Sequence, residues 1–83
     1  MNLALSEIFV SEAKELRCKL NYKQSYFCSL MRVSRQMWSR IETRQRNLGT
    51  DEVKQMLEHI TASEPMHAKD AFPMTIDLLN KSK

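Results

Sequence analysis

The spacing of small and apolar side chains between residues 24 and 41 constrains the fold of this chain more than any other feature. The positions are Phe27, Cys28, Met31, Val33, Trp38 and Ile41. With this spacing, two short helices that cross at a steep angle can each bury one side. We expect a turn at Arg32 and Val33, followed by Ser34 as the N-cap of the second helix.

The second helix of this pair, which should end near Thr43, has two different sides. Its inner stripe consists of Met37, Trp38 and Ile41, and we expect Trp38 to be a core residue and not a base-stacking platform. The outward positions are Arg35, Gln36, Ser39 and Arg40. Side chains of these types hydrogen-bond to base edges and phosphates. The segment therefore has the residue pattern of a helix-turn-helix that reads DNA.

Basic residues are concentrated around the same segment. Residues 14–46 contain nine lysines and arginines against two glutamates, a net charge of +7, whereas the whole chain carries +3 and the remainder −4. A basic block with acidic flanks is expected of a surface that contacts the phosphate backbone. The alternative is an ordinary solvated basic face, and the coincidence with the two-helix pattern favours the DNA interpretation.

Few positions interrupt helix in the rest of the chain, which has one glycine, Gly49, and two prolines, Pro65 and Pro73. No segment alternates apolar and polar residues with β-branched enrichment, so we predict an all-α fold, a compact bundle of about five helices. The first helix should cover about Leu5 to Leu20, with Ile8, Phe9, Ala13, Leu16 and Leu20 facing inward. Asn21 is the expected cap of the second helix, with the Gln24 side chain reaching back to it. Thr50 is the expected cap of the fourth helix, whose buried residues should be Val53, Met56, Leu57 and Ile60.

The chain of 83 residues is expected to fold as one small unit in which residues 1–62 form the DNA-binding core and residues 63–83 an apolar tail. Each proline of the tail can begin a short helix. A small core and the need to cover two half-sites both favour a homodimer. The expected dimerisation residues are Phe72, Met74, Ile76, Leu78 and Leu79. The tail could instead cover this subunit's own core or another protein.

Other functional classes have little support in the sequence. Cys18 and Cys28 do not combine with His59 and His67 at zinc-finger spacing, so we expect no metal and no cofactor, and read both cysteines as buried or half-buried free thiols. The histidines lack a matching acid, nucleophile or phosphate-binding loop, which argues against an enzyme. No apolar run approaches the roughly 20 residues of a membrane span and the first residues do not resemble a signal peptide, so a cytoplasmic protein without membrane contact is expected.

Residues from about Ala13 to Ile60 resemble the Cro and phage-repressor family of helix-turn-helix domains, also called the XRE family, whose fold is lambda-repressor-like. The residues that carry the resemblance are Gln24 at the first motif position, Cys28 at a small-residue position, Val33 after the turn, Trp38, Ile41 and the acidic Glu42. Two positions depart from the family pattern. Arg32 stands where the family usually has a turn glycine, which requires a left-handed backbone or another turn, and Lys23 replaces the usual Ser or Thr cap.

The resemblance implies a role for each matching residue. Base reading in the major groove is implied for Arg35, Gln36, Ser39 and Arg40. Phosphate contacts are implied for Gln24, Ser34, Arg32, Arg44, Arg46 and Asn47. Each role has an alternative without DNA. Arg35 and Arg40 could be surface arginines that are solvated or paired with Glu42. Gln24 could serve as a helix cap alone, and Arg44 and Arg46 could only keep the loop soluble.

Two functions are compatible with these observations. The first is a homodimeric, sequence-specific transcription regulator of the phage or plasmid type, or a restriction-modification controller, that binds double-stranded DNA at a roughly palindromic operator. Repression, including repression of its own gene, is the simplest mechanism, and activation is not excluded. The second is an antitoxin-type protein-binding module that binds its own promoter and uses the tail to cover a toxin.

Overall fold

The computed structural model describes the backbone of residues 3–81 and the side chains of residues 5–81. These residues form six α-helices and no strand: α1 (Leu3–Lys19), α2 (Gln24–Met31), α3 (Arg35–Glu42), α4 (Thr50–Ser63), α5 (Pro65–Ala71) and α6 (Pro73–Lys81). The prediction of an all-α fold is confirmed. The number of helices is six instead of about five because Pro65 and Pro73 each begin a separate helix, as their missing N–H groups allow.

Three of the helices end in the same backbone motif without the help of glycine. The residues after α1, α2 and α3 have left-handed backbones: Asn21 (φ 56°), Arg32 (φ 59°) and Arg44 (φ 64°). In each case the following N–H donates to the carbonyl five residues earlier: Tyr22 to Arg17 (3.1 Å), Val33 to Cys28 (3.1 Å) and Gln45 to Arg40 (2.8 Å). This is the Schellman closure of a helix C-terminus. The only glycine, Gly49, lies elsewhere and has a negative φ of −78°.

The helix N-termini correct two of the expected caps. Asn21 does not cap α2 but closes α1, and the residue before α2 is Lys23, whose side chain makes no capping hydrogen bond. The N-cap of α4 is Gly49 and not Thr50, which is already the first helical residue. Here Glu52, three residues on, accepts a hydrogen bond from the Gly49 N–H at 3.1 Å. The expected N-cap of α3 is confirmed, since Ser34 Oγ accepts a hydrogen bond from the Met37 N–H at 3.0 Å.

Phe9 of α1 lies at the centre of the hydrophobic core. Its ring meets that of Trp38 edge-on, with centroids 6.4 Å apart, and stacks on Phe72 at 5.4 Å. One side chain therefore joins α1, α3 and the residue between α5 and α6. The expected inward face of α4 is buried at Val53, Met56 and Ile60 and half-buried at Leu57. Ile8 of α1 and Leu20, which follows the end of α1, are only half-buried.

The cysteines differ from each other in exposure. Cys28 is a buried free thiol, as expected, and burial raises the pKa of this thiol above its usual range. Cys18 is an exposed free thiol, so the expectation of a buried or half-buried group was wrong for this residue. It lies near the end of α1 at a position that turns away from the core.

The segment after residue 62 belongs to the same core. Helix α5 packs against α4 and α1, and α6 packs along α1. Phe72 and Leu79, which we expected at a dimer interface, are buried within this chain, so that assignment was wrong for these two residues. Of the other three, Ile76 and Leu78 are half-buried and Met74 is exposed. The apolar pattern of the segment reflects intrachain packing at these buried positions.

A buried carboxylate attaches α6 to α1. Glu12 accepts hydrogen bonds from the N–H groups of Met74 (3.2 Å) and Thr75 (2.9 Å) and from the Thr75 hydroxyl (2.6 Å). The two N–H groups lie in the first turn of α6, where a helix has no partners of its own for them and where its dipole favours a negative charge. Glu12 therefore caps α6 from a helix that begins 70 residues earlier in the chain.

Replacing Glu12 with alanine should lower the free energy of unfolding by about 1–3 kcal/mol, because buried donors of α6 lose their acceptor. Urea denaturation followed by circular dichroism measures this loss. Glu15→Ala is the matched control, since Glu15 is exposed on the same helix and should change stability by no more than about 0.5 kcal/mol. Equal stability of the two variants would contradict the capping role of Glu12.

None of the described helices has the length and apolar character required to cross a membrane.

Candidate nucleic-acid interface

Helices α2 and α3 and the connection between them form a unit that we call the α2–α3 unit. Arg32, Val33 and Ser34 join the two helices. On α3, Trp38 and Ile41 are buried, with exposed fractions of 1% and 3%, and Met37 is half-buried. The inward stripe expected from the sequence is thus confirmed, including the core position of Trp38. The rest of α3 is held by this stripe with its opposite side towards solvent.

The outward side of α3 carries four exposed polar side chains: Arg35, Gln36, Ser39 and Arg40. Within the described residues, none of these side chains forms a hydrogen bond or an ion pair. Neither Arg35 nor Arg40 is paired with Glu42, so of the two alternatives to a role in binding only the solvated surface arginine stays open. The guanidinium, amide and hydroxyl groups of this side are available to an external partner.

Part of the predicted site converges on one shallow groove. Ser34, Gln36, Arg40 and Arg46 line it together with Met37, and its volume is about 290 Å³. Two of these residues were predicted to read bases and two to contact phosphates. The structure therefore places both kinds of group side by side, although Arg46 comes from the loop after α3 and not from the α2–α3 unit.

Arg44 and Asn47 lie on a different surface. They line a groove of about 350 Å³ with residues of α1 and with Ile41 and Glu42 at the end of α3. Arg44 is paired there with Glu7 of α1 at 3.6 Å. The loop that carries Arg44 and Asn47 is attached by the buried Leu48, whose N–H donates to Ser6 Oγ at 3.0 Å. The predicted phosphate contacts are thus divided between two sides of the loop.

Gln24 connects the beginning of α2 to the end of α3. Its Nε2 donates to Oε1 of Glu42 at 2.9 Å, and the other carboxylate oxygen of Glu42 lies 3.6 Å from Lys14 of α1. Gln24 is half-buried in this arrangement. The hydrogen bond braces the end of α3 against the beginning of α2. A contact between Gln24 and phosphate stays a prediction.

Arg32 occupies the turn with φ 59° and ψ 41°, so the left-handed alternative expected for a non-glycine residue here is the one observed. The side chain is exposed and forms no ion pair among the described residues. A left-handed conformation costs a residue with a Cβ roughly 1–2 kcal/mol. The turn therefore retains an unpaired cation at a position where glycine would be more stable.

The basic residues of the segment 14–46 differ in whether an acid neutralises them. Lys14, Arg44 and Arg46 are paired with Glu42, Glu7 and Glu52. In the part of the chain that the structure describes, Arg32, Arg35 and Arg40 have no acidic partner within ion-pair distance. Arg17, Lys19 and Lys23 also have no acidic partner among these residues, so the unpaired positive charge extends from the end of α1 to α3.

Glu52, in the first turn of α4, is a site residue that we did not predict from the sequence. Its two carboxylate oxygens accept from the Gly49 N–H and from the Arg46 guanidinium. The Gly49 hydrogen bond, followed by the interaction with Arg46, holds the pKa of Glu52 below its usual range. The negatively charged form of Glu52 is therefore favoured. Arg46 and Glu52 are six residues apart across a loop, so no helical or strand periodicity in the sequence indicates their contact.

Among residues 5–81, no group of three or more His, Cys, Asp or Glu side chains is arranged to hold a metal ion. His59 is half-buried on α4 and His67 is exposed on α5.

Comparisons with known proteins found no matching family model, no similar curated protein and no similar solved structure.

Replacing Arg32 with glycine should raise the free energy of unfolding. Glycine stabilises the unfolded chain by about 0.4–1 kcal/mol through its conformational entropy, but it also relieves the larger left-handed strain in the folded state. The net gain in the free energy of unfolding should be on the order of 0.5–1 kcal/mol. Thermal denaturation should show an increase of a few degrees in Tm. Arg32→Ala is the control, because it removes the same charge but keeps the strain. If the alanine variant is stabilised as much as the glycine variant, strain at this turn is not the cause.

Proposed function

We propose that this protein is a sequence-specific DNA-binding transcription regulator that inserts α3 into the major groove and represses by occupying an operator. One observation carries the proposal above all others: four exposed side chains of α3 that suit base recognition have no partner among the described residues, while Trp38 and Ile41 anchor the helix from behind. Water solvates these exposed groups without a penalty, so they are free to exchange water for a polar partner.

The dimensions and charge of the unit support a duplex as that partner. Helix α3 has eight residues, and a helix of that length is about 12 Å long. The major groove is about 12 Å wide and admits a helix with its side chains. The unpaired cations Arg32, Arg35 and Arg40 lie on the α2–α3 unit, so the phosphates on both sides of the groove would meet positive charge.

Within this proposal the residues have distinct tasks. Arg35 and Arg40 suit bidentate hydrogen bonds to guanine, and Gln36 suits adenine. Ser39 can bond to either a base or a phosphate. Arg32, Ser34 and Arg46 contact the backbone and set the orientation of α3, with Arg44 and Asn47 reaching phosphates on the α1 side of the loop.

The Arg40→Ala variant should lose about 1–3 kcal/mol of binding free energy on the operator and relax the base preference, because one base contact is removed. Arg46→Ala should weaken operator and random duplex alike and reduce the slope of the salt dependence by up to about one unit. Fluorescence anisotropy titrations at several salt concentrations measure both effects.

Lys69→Ala is the control for a lost positive charge, since Lys69 is exposed on α5, outside the α2–α3 unit. Its affinity should stay close to that of the wild type. Equal losses on operator and random duplex for Arg40→Ala and Arg46→Ala would contradict the assignment of α3 as the reading helix.

The proposal includes a homodimer on a roughly palindromic site, because two copies of α3 would reach two half-sites about one helical turn apart. Phe72 and Leu79 are unavailable for this contact, and Ile76 and Leu78 pack against this chain's own core, so the exposed Met74 of α6 marks the surface that we assign to the partner subunit.

Met74→Glu should convert the dimer to a monomer and lower operator affinity without loss of helical content, because it introduces a charge into an apolar contact. Sedimentation at several concentrations measures the oligomeric state, and circular dichroism the fold. Met66→Glu is the control, since Met66 is the more exposed methionine, at 84% against 57% for Met74, and lies on α5. A dimer that survives Met74→Glu but dissociates with Met66→Glu would place the interface on α5.

A further inference from the structure

The carboxylate of Glu52 is held in place by the N-terminus of α4. Its Oε1 accepts the Gly49 N–H at 3.1 Å, and as the third residue of the helix it lies where the helix dipole favours a negative charge. Its Oε2 pairs with Nη2 of Arg46, which belongs to the irregular loop between α3 and α4. The acid is therefore the fixed member of the pair and the arginine the adjustable one.

The pair lies next to the outward side of α3. Arg46 lines the same groove as Ser34, Gln36 and Arg40. Glu52 lines the adjoining groove, which it shares with Arg32 and with Met37. A negative charge thus lies close to two of the arginines to which the proposed function assigns phosphate contacts.

We propose that Glu52 competes with DNA phosphates for the guanidinium of Arg46 and thereby limits the affinity of the protein for the DNA backbone. The inference rests on the proposed function, since it concerns how the same surface binds a duplex. It assigns to Glu52 a role in binding that acts through Arg46 and does not require contact with DNA.

The exposure of the pair allows the exchange of partners. The side chains are 47% and 35% exposed, and ion pairs in contact with water are weak and easily screened by salt. A phosphate can therefore displace or share the guanidinium. The carboxylate, which stays on α4, then faces the phosphate as a like charge. Arg46 should consequently contribute less to binding than the unpaired Arg32, Arg35 and Arg40.

This competition is independent of base sequence, because a phosphate is the same in every duplex. Its effect should therefore be equal on operator and random DNA. Binding through α3 base contacts is left unchanged, so the ratio of specific to non-specific affinity stays constant while both affinities are reduced.

The test is the Glu52→Gln variant. Glutamine keeps an oxygen that accepts the Gly49 N–H, so the cap of α4 is preserved, but it removes the charge that holds Arg46. We expect about two- to fivefold tighter binding of both operator and random-sequence duplex, the range that corresponds to a surface ion pair. The salt dependence should become steeper by less than about 0.9 in slope, the value of one full phosphate contact, because Arg46 contributes only part of that value in the wild type.

Two further variants separate this effect from others. Asp51→Asn removes a negative charge from the neighbouring exposed position of the same helix turn, where no ion pair with Arg46 exists, and it measures the general gain from reduced repulsion. When Arg46 is already alanine, Glu52→Gln should increase the affinity for DNA no more than Asp51→Asn does in the wild type. Circular dichroism of each variant confirms that the fold is retained.

Each remaining outcome overturns the inference. Equal gains for Glu52→Gln and Asp51→Asn would mean that only the general charge of the surface matters. Weaker binding of Glu52→Gln would show that Glu52 orients Arg46 for binding. A gain that persists in the double variant would show that it does not act through Arg46. These outcomes leave the proposed function intact as long as the wild type binds operator and Arg40→Ala reduces that affinity. A wild type that binds no duplex would overturn both proposals.

Discussion

The edge-on contact between Phe9 and Trp38 is the interaction on which the position of α3 depends. Helix α3 is too short to be stable alone, since isolated helices below roughly 12–15 residues are marginal in water. Its orientation therefore comes from burying Trp38 and Ile41. Phe9 also stacks on Phe72. The helix that presents the polar groups is thus supported through one ring by the segment that precedes α6.

The division between paired and unpaired charges gives the surface its second property. Acids of α3, α1 and α4 neutralise Lys14, Arg44 and Arg46, whereas the arginines on the α2–α3 unit itself form no ion pair in the described part of the chain. A uniformly basic surface would bind any polyanion. The arrangement here reduces backbone attraction at the edge, which lowers the affinity for every duplex alike, and leaves the reading side chains unpaired.

Local patterns in the sequence were enough to predict several features that depend on interactions between residues close together in the chain. The spacing of apolar residues predicted the inward stripe of α3 and the core position of Trp38, Ser34 predicted the cap of α3, and the prolines predicted where α5 and α6 begin. The pattern could show that Phe72 and Leu79 need burial but not which surface covers them. The Glu12 contact with Thr75 joins residues 63 positions apart, and such contacts have no periodic signature. Asn21 was assigned to the wrong helix because asparagine suits both an N-cap and a left-handed C-terminus.

The most direct test of the central claim, that the outward side of α3 reads a duplex groove, is selection of bound sequences from a pool of random duplexes by the purified protein, in parallel with its Arg40→Ala variant. We expect enrichment of one motif with two related halves about one helical turn apart, and loss of preference at one base pair in each half with the variant. Recovery of no motif by the wild type, or of the same motif with undiminished preference by Arg40→Ala, would contradict it.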